Sequence, residues 1–451
     1  MAEAGIVMDM DSGAILYGQN IHLTYPPASI TKILTALIVL ENCNLDDTVT
    51  FSTTAVNQVE ADSGNKISVV AGDQLSVEDC LYSMLLVSCN QAANALAEHT
   101  AGSISAFVDM MNEKLAELGC QESHFENPSG LNGDNQYVSA YDMALIAQAA
   151  YDNETLVEIS SATTHKIAPT TQNPDGFTIR GEHRLCVTED PSSPYYYPEA
   201  IAGKTGYLIK AGNTLVTYAV KDNRRLVSVI LKGQPRQYFV DGKALLEFGF
   251  RSFQHYTVAD YESRYVTGNE TINLDKGSFQ ASDLMIDPDS VITLPNSASF
   301  EDADITLGAL PEISPDNAVA LLTYSYNDRT IGTAYLLAKD GVTIDGNDSA
   351  SEAATTAFDT ANAEAPLATA SNAEKPQRPH KHISVAGVLI TILIVLLVLG
   401  VIGLISWFIY SKKKEAKALA KRRERRRQRL QRSGDEEEFE RLLAEYKNKK
   451  K

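Results

Sequence analysis

Ser29 and Lys32, three residues apart, form the strongest candidate for a reactive pair in this chain of 451 residues. Residues three apart share one face of a helix, and a helix can begin after Pro26 and Pro27. A serine hydroxyl attacks once a base takes its proton, and a lysine that is desolvated or near another cation can be that base. N–H groups of the first helical turn could stabilise an oxyanion. The spacing predicts nucleophilic catalysis.

The Ser-x-x-Lys pattern is short, and a second copy lies at residues 411–414 in a basic tail. A pattern with two fixed positions is more often incidental than catalytic. Other polar residues must therefore support Ser29 before it is taken as a nucleophile.

Ser88 and Asn90 lie between two apolar segments with a helical pattern. A break between two buried helices can present polar side chains to a cleft. Ser-x-Asn also occurs at residues 63–65 and 325–327, but neither copy lies between two such helices. The position of Ser88 and Asn90 therefore indicates a second part of a site.

Lys204, Thr205 and Gly206 precede two β-type runs at residues 214–220 and 226–231. The two runs are joined by a polar turn and predict adjacent antiparallel strands. Glycines beside a Lys-Thr pair let the backbone approach a ligand, and an ammonium with a hydroxyl suits a carboxylate. Alone, an exposed lysine on a strand needs no function.

Together and in this order, the three sets resemble the active-site signature of penicillin-recognising serine enzymes. The flanking sequences at 27–32, 127–131, 203–207 and 242–250 resemble those of D-alanyl-D-alanine carboxypeptidases, the low-molecular-mass penicillin-binding proteins. The resemblance covers about residues 4–255. It implies an α+β catalytic domain like that of serine β-lactamases, with helices covering an antiparallel sheet built from both ends of the domain.

The resemblance also implies a role for each candidate residue. Ser29 would attack the carbonyl between the two terminal D-alanines of a peptidoglycan stem peptide, Lys32 would accept its proton, and Ser88 would relay a proton to the leaving amine. Backbone N–H groups of Ser29 and Tyr207 would form the oxyanion hole. The residues expected to bind substrate are Asn90, Lys204, Thr205, Gly206, Tyr207 and Arg236. Neither a metal nor an organic cofactor is implied, and β-lactams would inhibit by acylating Ser29.

Two departures from the family pattern affect substrate binding. Leu208 follows Tyr207 where the family usually has Thr or Ser nearby. Tyr238 occupies the position expected for an arginine that assists with the carboxylate, so Arg236 is the nearest candidate for that role.

Beyond the catalytic domain, assigned to residues 1–255, the pattern changes. Residues 256–345 contain short β-type runs, clearest at 318–324 and 330–337, which predict a small β-domain with a hairpin. Residues 346–382 are rich in Ala, Ser, Thr, Glu and Pro, which predicts a disordered linker.

Residues 383–410 carry no charge and are long enough for one transmembrane helix in a bacterial membrane. The tail at 411–451 has 17 Lys and Arg against 8 Asp and Glu, so the positive-inside rule predicts a cytoplasmic tail and an extracellular catalytic domain. The net charge of -19 thus averages a basic tail and an acidic body, which argues against a nucleic-acid partner. Residues 1–4 show no signal-peptide pattern, so we expect the true N-terminus upstream.

The five cysteines are an odd number without a paired or zinc-type spacing, which favours buried, reduced thiols.

Two other interpretations of the function stay open. A serine β-lactamase uses the same motifs, but its best-known class has Asp where this chain has Cys89 and needs a Glu-activated water. A non-enzymatic wall-binding or β-lactam-sensing membrane protein would signal through the tail, which is short for that purpose. Carboxypeptidase and endopeptidase activities attack similar D-alanyl bonds, and the sequence does not separate them.

Overall fold

The structure, a computed structural model, describes residues 2–60, 63–311 and 313–344. The linker, transmembrane helix and tail predicted after residue 345 lie outside these residues. Within the described ranges, no helix has both the length and the apolar composition needed to cross a membrane.

The first region combines helices with several small β-pairs and one larger sheet. Its strands in chain order are β1 (Ala4–Asp9), β2 (Ile15–Gln19), β3 (Thr24–Tyr25), β4 (Thr48–Thr50), β5 (Gln74–Ser76), β6 (Val138–Ser139), β7 (Thr164–Ile167), β8 (Phe177–Arg180), β9 (Ala200–Leu208), β10 (Gly212–Lys221) and β11 (Arg224–Gly233). Its helices are α1 (Lys32–Asn42), α2 (Thr53–Asn57), α3 (Val77–Leu86), α4 (Asn90–Ala101), α5 (Ile104–Glu117), α6 (Ala140–Asp152), α7 (Glu154–Ser160), α8 (Arg184–Val187) and α9 (Gln237–Ser252).

The larger sheet has five antiparallel strands in the order β2-β1-β11-β10-β9. The pairing of Ala4 with Leu231 and of Asp9 with Leu226 joins the N-terminal hairpin to the last strand of the region. The predicted hairpin and its meeting with the strands after Lys204 are therefore confirmed. Among the residues that the structure describes, strand β9 lies at the edge of this sheet and pairs only with β10.

Side chains alternate between the two faces of this sheet, and both faces are buried. Ile6 and Val216 face a core shared with helices such as α1 and α6. Val7 and Leu215 face the opposite side, where Leu246 of α9 packs against them. Burial on both faces explains why these strands read as nearly continuous apolar runs.

Local side-chain hydrogen bonds define where several helices begin. Ser52, Ser76, Ser103 and Asn153 each accept a backbone N–H from the first turn of α2, α3, α5 and α7, respectively. Helix α4 ends at Gly102, whose φ of 79° is the left-handed conformation that terminates many helices.

Ser139 caps the first turn of α6. Its side chain accepts the Asp142 backbone N–H at 3.0 Å. The Asp142 carboxylate lies in the first turn and accepts the backbone N–H of Glu122 at 2.7 Å. It therefore ties a preceding loop to the positive end of the helix.

The second region is rich in β-structure. Its elements are β12 (Phe253–Thr257), α10 (Val258–Tyr261), β13 (Thr271–Leu274), β14 (Gly277–Gln280), β15 (Leu284–Ile286), β16 (Val291–Pro295), β17 (Asp304–Gly308), β18 (Ala318–Tyr326) and β19 (Arg329–Ala338). Strands β15-β19-β18-β17 form one antiparallel sheet around a separate apolar core. The hairpin predicted in this region corresponds to β18 and β19. Strand β12 pairs with β16, so the boundary drawn at residue 255 falls inside β12.

Polar contacts join the two regions beside the N-terminal hairpin. His255 Nε2 lies 2.7 Å from Asp9 Oδ2, and the hydroxyls of Ser12 and Thr293 lie 2.8 Å apart. Asp9 has no solvent exposure and also pairs with Arg224 at 3.4 Å. A buried carboxylate with these partners fixes the first hairpin against β12 and β16.

Candidate active site

A tight turn presents Ser29 ahead of α1. Residues Ala28–Thr31 form a 3₁₀ turn, and the α-helix begins at Lys32. Ala28 has a φ of 52°, a conformation that non-glycine residues rarely adopt. Gly130 packs against this turn so closely that a Cβ there would lie 1.9 Å from the Ala28 carbonyl oxygen. The glycine of the segment at 127–131 is thus required by the turn that carries the serine.

Lys32 is the buried centre of the site, with no solvent exposure. Its Nζ lies 3.1 Å from Ser29 Oγ and 2.7 Å from Asn90 Oδ1, and it also donates to the backbone carbonyl oxygen of Ser129. Burial lowers the pKa of Lys32 well below its usual range, and the nearby charge of Lys204 lowers it further. Both effects favour the neutral amine over the ammonium more than in a free lysine.

The three neighbours of Lys32 Nζ also determine how a neutral amine is oriented. A neutral amine has two N–H donors and one lone pair. Asn90 Oδ1 and the Ser129 carbonyl oxygen can only accept, so they take the two N–H groups. Ser29 Oγ carries a proton and is the remaining neighbour. The lone pair of Lys32 therefore faces the hydroxyl of Ser29, as a general base requires.

Ser88 and Asn90 lie where α3 ends and α4 begins. Ser88 has a φ of 62°, a strained conformation of the kind that occurs at functional sites. Asn90 is the first residue of α4 and is 7% exposed. Cys89 between them is fully buried, and burial raises its pKa to about 11, so it remains a thiol. The break between α3 and α4 thus directs two polar side chains towards Ser29 while its middle residue packs inward.

Strand β9 reaches the nucleophile through a glycine. A Cβ at Gly206 would lie 2.3 Å from Thr214 Oγ1 and 2.8 Å from the backbone nitrogen of Ser29. Any side chain at this position would push β9 away from the turn. Gly206 therefore permits the close approach that places the backbone of β9 beside Ser29.

Lys204 is buried in β9, with 2% exposure, and its Nζ donates to the Thr205 carbonyl oxygen at 2.9 Å. Burial lowers its pKa to about 8; Glu182 opposes this shift, and Lys66 contributes to it. Lys204 is therefore mostly charged at neutral pH. The two buried lysines can serve different purposes, one as a base and one as a cation.

A cleft of about 710 Å³ opens over these residues. Six of the residues predicted from the sequence line it, namely Ser29, Ser88, Asn90, Thr205, Gly206 and Tyr207. Lys32 and Lys204 lie buried next to it. Arg236 is exposed at the beginning of α9 and is not among the lining residues.

Sequence reasoning missed several lining residues of the cleft, chiefly Glu60, Lys66, Glu182, Arg184 and Phe239. Lys66 Nζ and Glu182 Oε1 form an ion pair of 3.2 Å between two separate loops. The Arg184 guanidinium lies over the ring of Tyr195 at 5.0 Å. Glu60, Lys66 and Glu182 lie in loops, whereas Arg184 begins α8 and Phe239 lies in the first turn of α9. They share no recognisable spacing, so no local pattern pointed to them.

Asp9, Asp11 and His255 come within 4.8 Å of one another near the second region, in a cluster that could hold a cation. However, Arg224 pairs with Asp9, and Arg225 pairs with Asp11 at 2.6 Å. The cluster is therefore an ion-pair network that joins the hairpin to β11 and β12.

A serine, a buried lysine with a lowered pKa and a second serine beside an antiparallel edge strand define an acyl-transfer site of the penicillin-recognising type. The family described as D-alanyl-D-alanine carboxypeptidase matches residues 1–234. The chain belongs to this family, which confirms the resemblance inferred from the three motifs.

Curated relatives of this chain are also D-alanyl-D-alanine carboxypeptidases. The chain is 35% identical over 255 residues to the D-alanyl-D-alanine carboxypeptidase DacB2 of Mycobacterium tuberculosis, which covers 55% of this chain and 82% of the relative. It is 29% identical to the D-alanyl-D-alanine carboxypeptidase DacF of Bacillus subtilis, covering 56% of this chain and 63% of that protein.

Solved structures show the same α+β fold. The crystal structure of a D-alanyl-D-alanine carboxypeptidase from Mycobacterium tuberculosis superposes with a TM-score of 0.50 at 32% identity, covering 55% of this chain and 90% of that one. A mutant of the Streptomyces K15 DD-transpeptidase superposes with a TM-score of 0.51 at 26% identity, covering 55% of this chain and 97% of that one.

Proposed function

We propose that this chain is a serine-type D-Ala-D-Ala carboxypeptidase, which removes the terminal D-alanine from peptidoglycan stem peptides through an acyl-enzyme on Ser29. The observation that carries the proposal is the environment of Lys32. Its amine is buried, has a lowered pKa, and lies 3.1 Å from Ser29 Oγ with two carbonyl-type acceptors on its other sides.

In the first step, Ser29 Oγ attacks the carbonyl carbon between the two terminal D-alanines as Lys32 takes its proton. The oxyanion accepts hydrogen bonds from the backbone N–H groups of Ser29 and Tyr207. Ser88 relays the proton to the leaving nitrogen, the C–N bond breaks, and D-alanine departs. Lys32 is then neutral again, and the acyl group is bonded to Ser29.

In the second step, water attacks the acyl-enzyme. Its proton passes to Lys32, the bond between the acyl carbon and Ser29 Oγ breaks, and Oγ recovers the proton. The products are the shortened stem peptide and free enzyme. Every step needs one proton acceptor close to Ser29, and Lys32 fulfils that requirement.

Substrate recognition follows from the charges of the cleft. The charged Lys204 and the hydroxyl of Thr205 bind the terminal carboxylate, and Asn90 binds the substrate amide. β-Lactams carry a carboxylate and a reactive amide, so they acylate Ser29 in the same orientation and inhibit the enzyme. They do so because their ring-opened leaving group stays attached.

The proposal includes a membrane anchor. The uncharged run at 383–410 and the basic cluster after it support a single transmembrane helix, with the catalytic region outside the cell and the tail in the cytoplasm. Protease treatment of intact cells tests this arrangement. Loss of the catalytic region with survival of the tail is expected, and protection of the catalytic region would contradict it.

The central test mixes the full chain with benzylpenicillin and follows its intact mass with time, alongside Ser29→Ala. We expect a long-lived adduct of one penicillin that is absent from the variant. Release of D-alanine from a pentapeptide stem, measured in parallel, is expected for a carboxypeptidase. Rapid penicillin hydrolysis without a lasting adduct would instead favour a β-lactamase. A folded protein that does not react with either compound would leave only a binding role.

A further inference from the structure

His183 lies behind the strand that carries Lys204, and the reaction steps above do not use it. It is 7% exposed and immediately precedes α8. Its Nε2 lies 3.1 Å from the Val216 carbonyl oxygen and 3.1 Å from Thr217 Oγ1. A carbonyl oxygen only accepts, so Nε2 carries a proton and donates it to β10.

The other ring nitrogen faces a thiol. His183 Nδ1 lies 3.2 Å from Cys186 Sγ, one turn further along α8. Burial raises the pKa of Cys186, so the thiol keeps its proton and donates it to Nδ1. Burial also lowers the pKa of His183 to about 4. The ring is therefore neutral, and its two neighbours select one tautomer.

The ring of His183 supports β9 on the face opposite to the Lys204 side chain. In the register of β9 and β10, Gly203 pairs with Thr217 and Lys204 pairs with Val216. A Cβ at Gly203 would lie 2.6 Å from His183 Nε2, so the ring occupies the space beneath this glycine. Successive residues of a strand point to opposite faces, so Lys204 projects away from the ring.

Strand β9 needs this support because it is at the sheet edge. In the described part of the chain, β10 pairs with one side of β9 and no strand pairs with the other. The ring hydrogen-bonds to β10 and contacts β9 at the two paired positions named above. It therefore sets the position of the β9 backbone at Lys204. Phe239 of α9 packs edge-on against the ring at 5.8 Å and also lines the cleft.

We propose that His183 is a positioning residue: its ring, oriented by Cys186, holds the β9 backbone in the position from which the Lys204 side chain reaches the substrate carboxylate. The inference rests on the proposed function, because it assigns to Lys204 the carboxylate of the D-alanyl substrate. It predicts that loss of the Nε2 donor impairs substrates with a carboxylate more than analogues without one.

Three substitutions of His183 separate the donor from the bulk of the ring. His183→Gln places an N–H near the position of Nε2 and keeps the bond to Val216. His183→Asn reaches only the position of Nδ1, and His183→Leu has no donor. His165→Gln is the matched control, since His165 is also partly buried, bonds Asp79 at 2.6 Å and lies outside the cleft.

The experiment measures the second-order rate constant of acylation of the full chain by benzylpenicillin and by its methyl ester. For His183→Asn and His183→Leu we expect about a ten- to hundredfold loss with benzylpenicillin, as small misplacements of binding groups produce. The loss with the ester is expected to be much smaller. His183→Gln and His165→Gln are expected to keep the wild-type preference for the carboxylate. Equal losses with both compounds, or no loss, would overturn the inference.

A measurement on the wild-type chain keeps the inference testable if a variant does not fold. The ¹⁵N chemical shifts of the His183 ring are expected to show a protonated Nε2 and an unprotonated Nδ1 between pH 5 and 8. The opposite tautomer or a charged ring in that range would overturn it. A wild-type chain that benzylpenicillin does not acylate would instead refute the proposed function, which is a different outcome.

Discussion

The amide oxygen of Asn90 lies 2.7 Å from Nζ of Lys32, and both groups are buried. An amide oxygen can accept a hydrogen bond from the amine without carrying a formal charge. A carboxylate at the same place would favour the ammonium form. The side chain at position 90 therefore influences whether Lys32 can act as a base.

Asn90→Asp tests this relationship. We expect the new carboxylate to raise the pKa of Lys32, so that acylation by benzylpenicillin falls at least about tenfold at pH 7. The rate should recover partly as pH rises, because the neutral amine reappears. Asn90→Leu is the uncharged control and is expected to slow acylation without moving its pH dependence. Parallel profiles for the two variants would contradict the role of Lys32 as base.

Lys204 should limit activity at high pH. Burial lowers its pKa to about 8, and only the charged form binds a carboxylate. As pH rises through about 8, Lys204 loses its proton, so the apparent affinity for benzylpenicillin should fall. The methyl ester lacks the carboxylate and should show no such decline. Stopped-flow acylation from pH 6 to 10 measures both, and a decline of equal size for the ester would disprove the assignment.

The two members of the ion pair between Lys66 and Glu182 should shift the pH of this decline in opposite directions. Glu182 raises the pKa of Lys204, and Lys66 lowers it. Glu182→Gln is therefore expected to move the decline to lower pH, whereas Lys66→Gln should move it to higher pH. Both residues are about half exposed, so high salt should weaken both effects. Shifts in the same direction would show that the pair acts by another route.

Arg184 and Arg236 offer a direct comparison of two cations. Arg184 lines the cleft, whereas Arg236 is exposed at the start of α9. We expect Arg184→Gln to slow acylation by benzylpenicillin by up to about fivefold, since an exposed charge contributes about 1 kcal/mol or less. Arg236→Gln should leave the rate unchanged. A larger loss of rate in Arg236→Gln than in Arg184→Gln would instead support Arg236, the residue suggested by its position in the sequence.

Asp9 should contribute to stability rather than to catalysis. Burial raises the pKa of its carboxyl, but the hydrogen bond and charge of His255, together with the Ser12 backbone N–H and the charge of Arg224, leave the pKa below its usual value of 3.8. Asp9→Asn removes the buried negative charge that faces His255 and Arg224 and should lower the free energy of unfolding by about 3 kcal/mol. Urea denaturation measures the loss.

The contribution of Asp9 also has a defined pH dependence. Because the folded-state pKa is the lower one, the stabilisation is present above the unfolded value of 3.8 and is lost as pH falls through the folded value. The difference in stability between wild type and Asp9→Asn should therefore shrink in acid. A constant difference from pH 3 to 7 would show that the charge of Asp9 is not the cause.

Part of this architecture could be predicted from the residues. Alternating and continuous apolar runs predicted the N-terminal hairpin and the strands after Lys204, and their pairing is observed. The three motifs predicted a shared site, and the cleft brings Ser29, Ser88 and Thr205 together. Each motif has a short fixed spacing along the chain, so the sequence alone could indicate it.

Other features had no local signal. The Ser129 backbone carbonyl that binds Lys32 is a group that every residue has, so only the fold selects it. Arg236 is close in sequence to the expected position, but its φ of 67° belongs to a turn on the exposed surface. Long-range packing determines both outcomes.

The pairing of Ala4 with Leu231 has a consequence for the synthesis of the protein. A chain made from its N-terminus can pair β1 with β2, but it cannot close the central sheet until β11 has emerged, so the other edge of β1 remains unpaired while more than two hundred residues are added. Contacts so distant along the chain are slow to form. Ser29 and Lys32 are made early, but Lys204 can join them only when β9, β10 and β11 assemble. A nascent chain that ends before β11 therefore has no complete cleft, and we expect it to be inactive until the domain is finished.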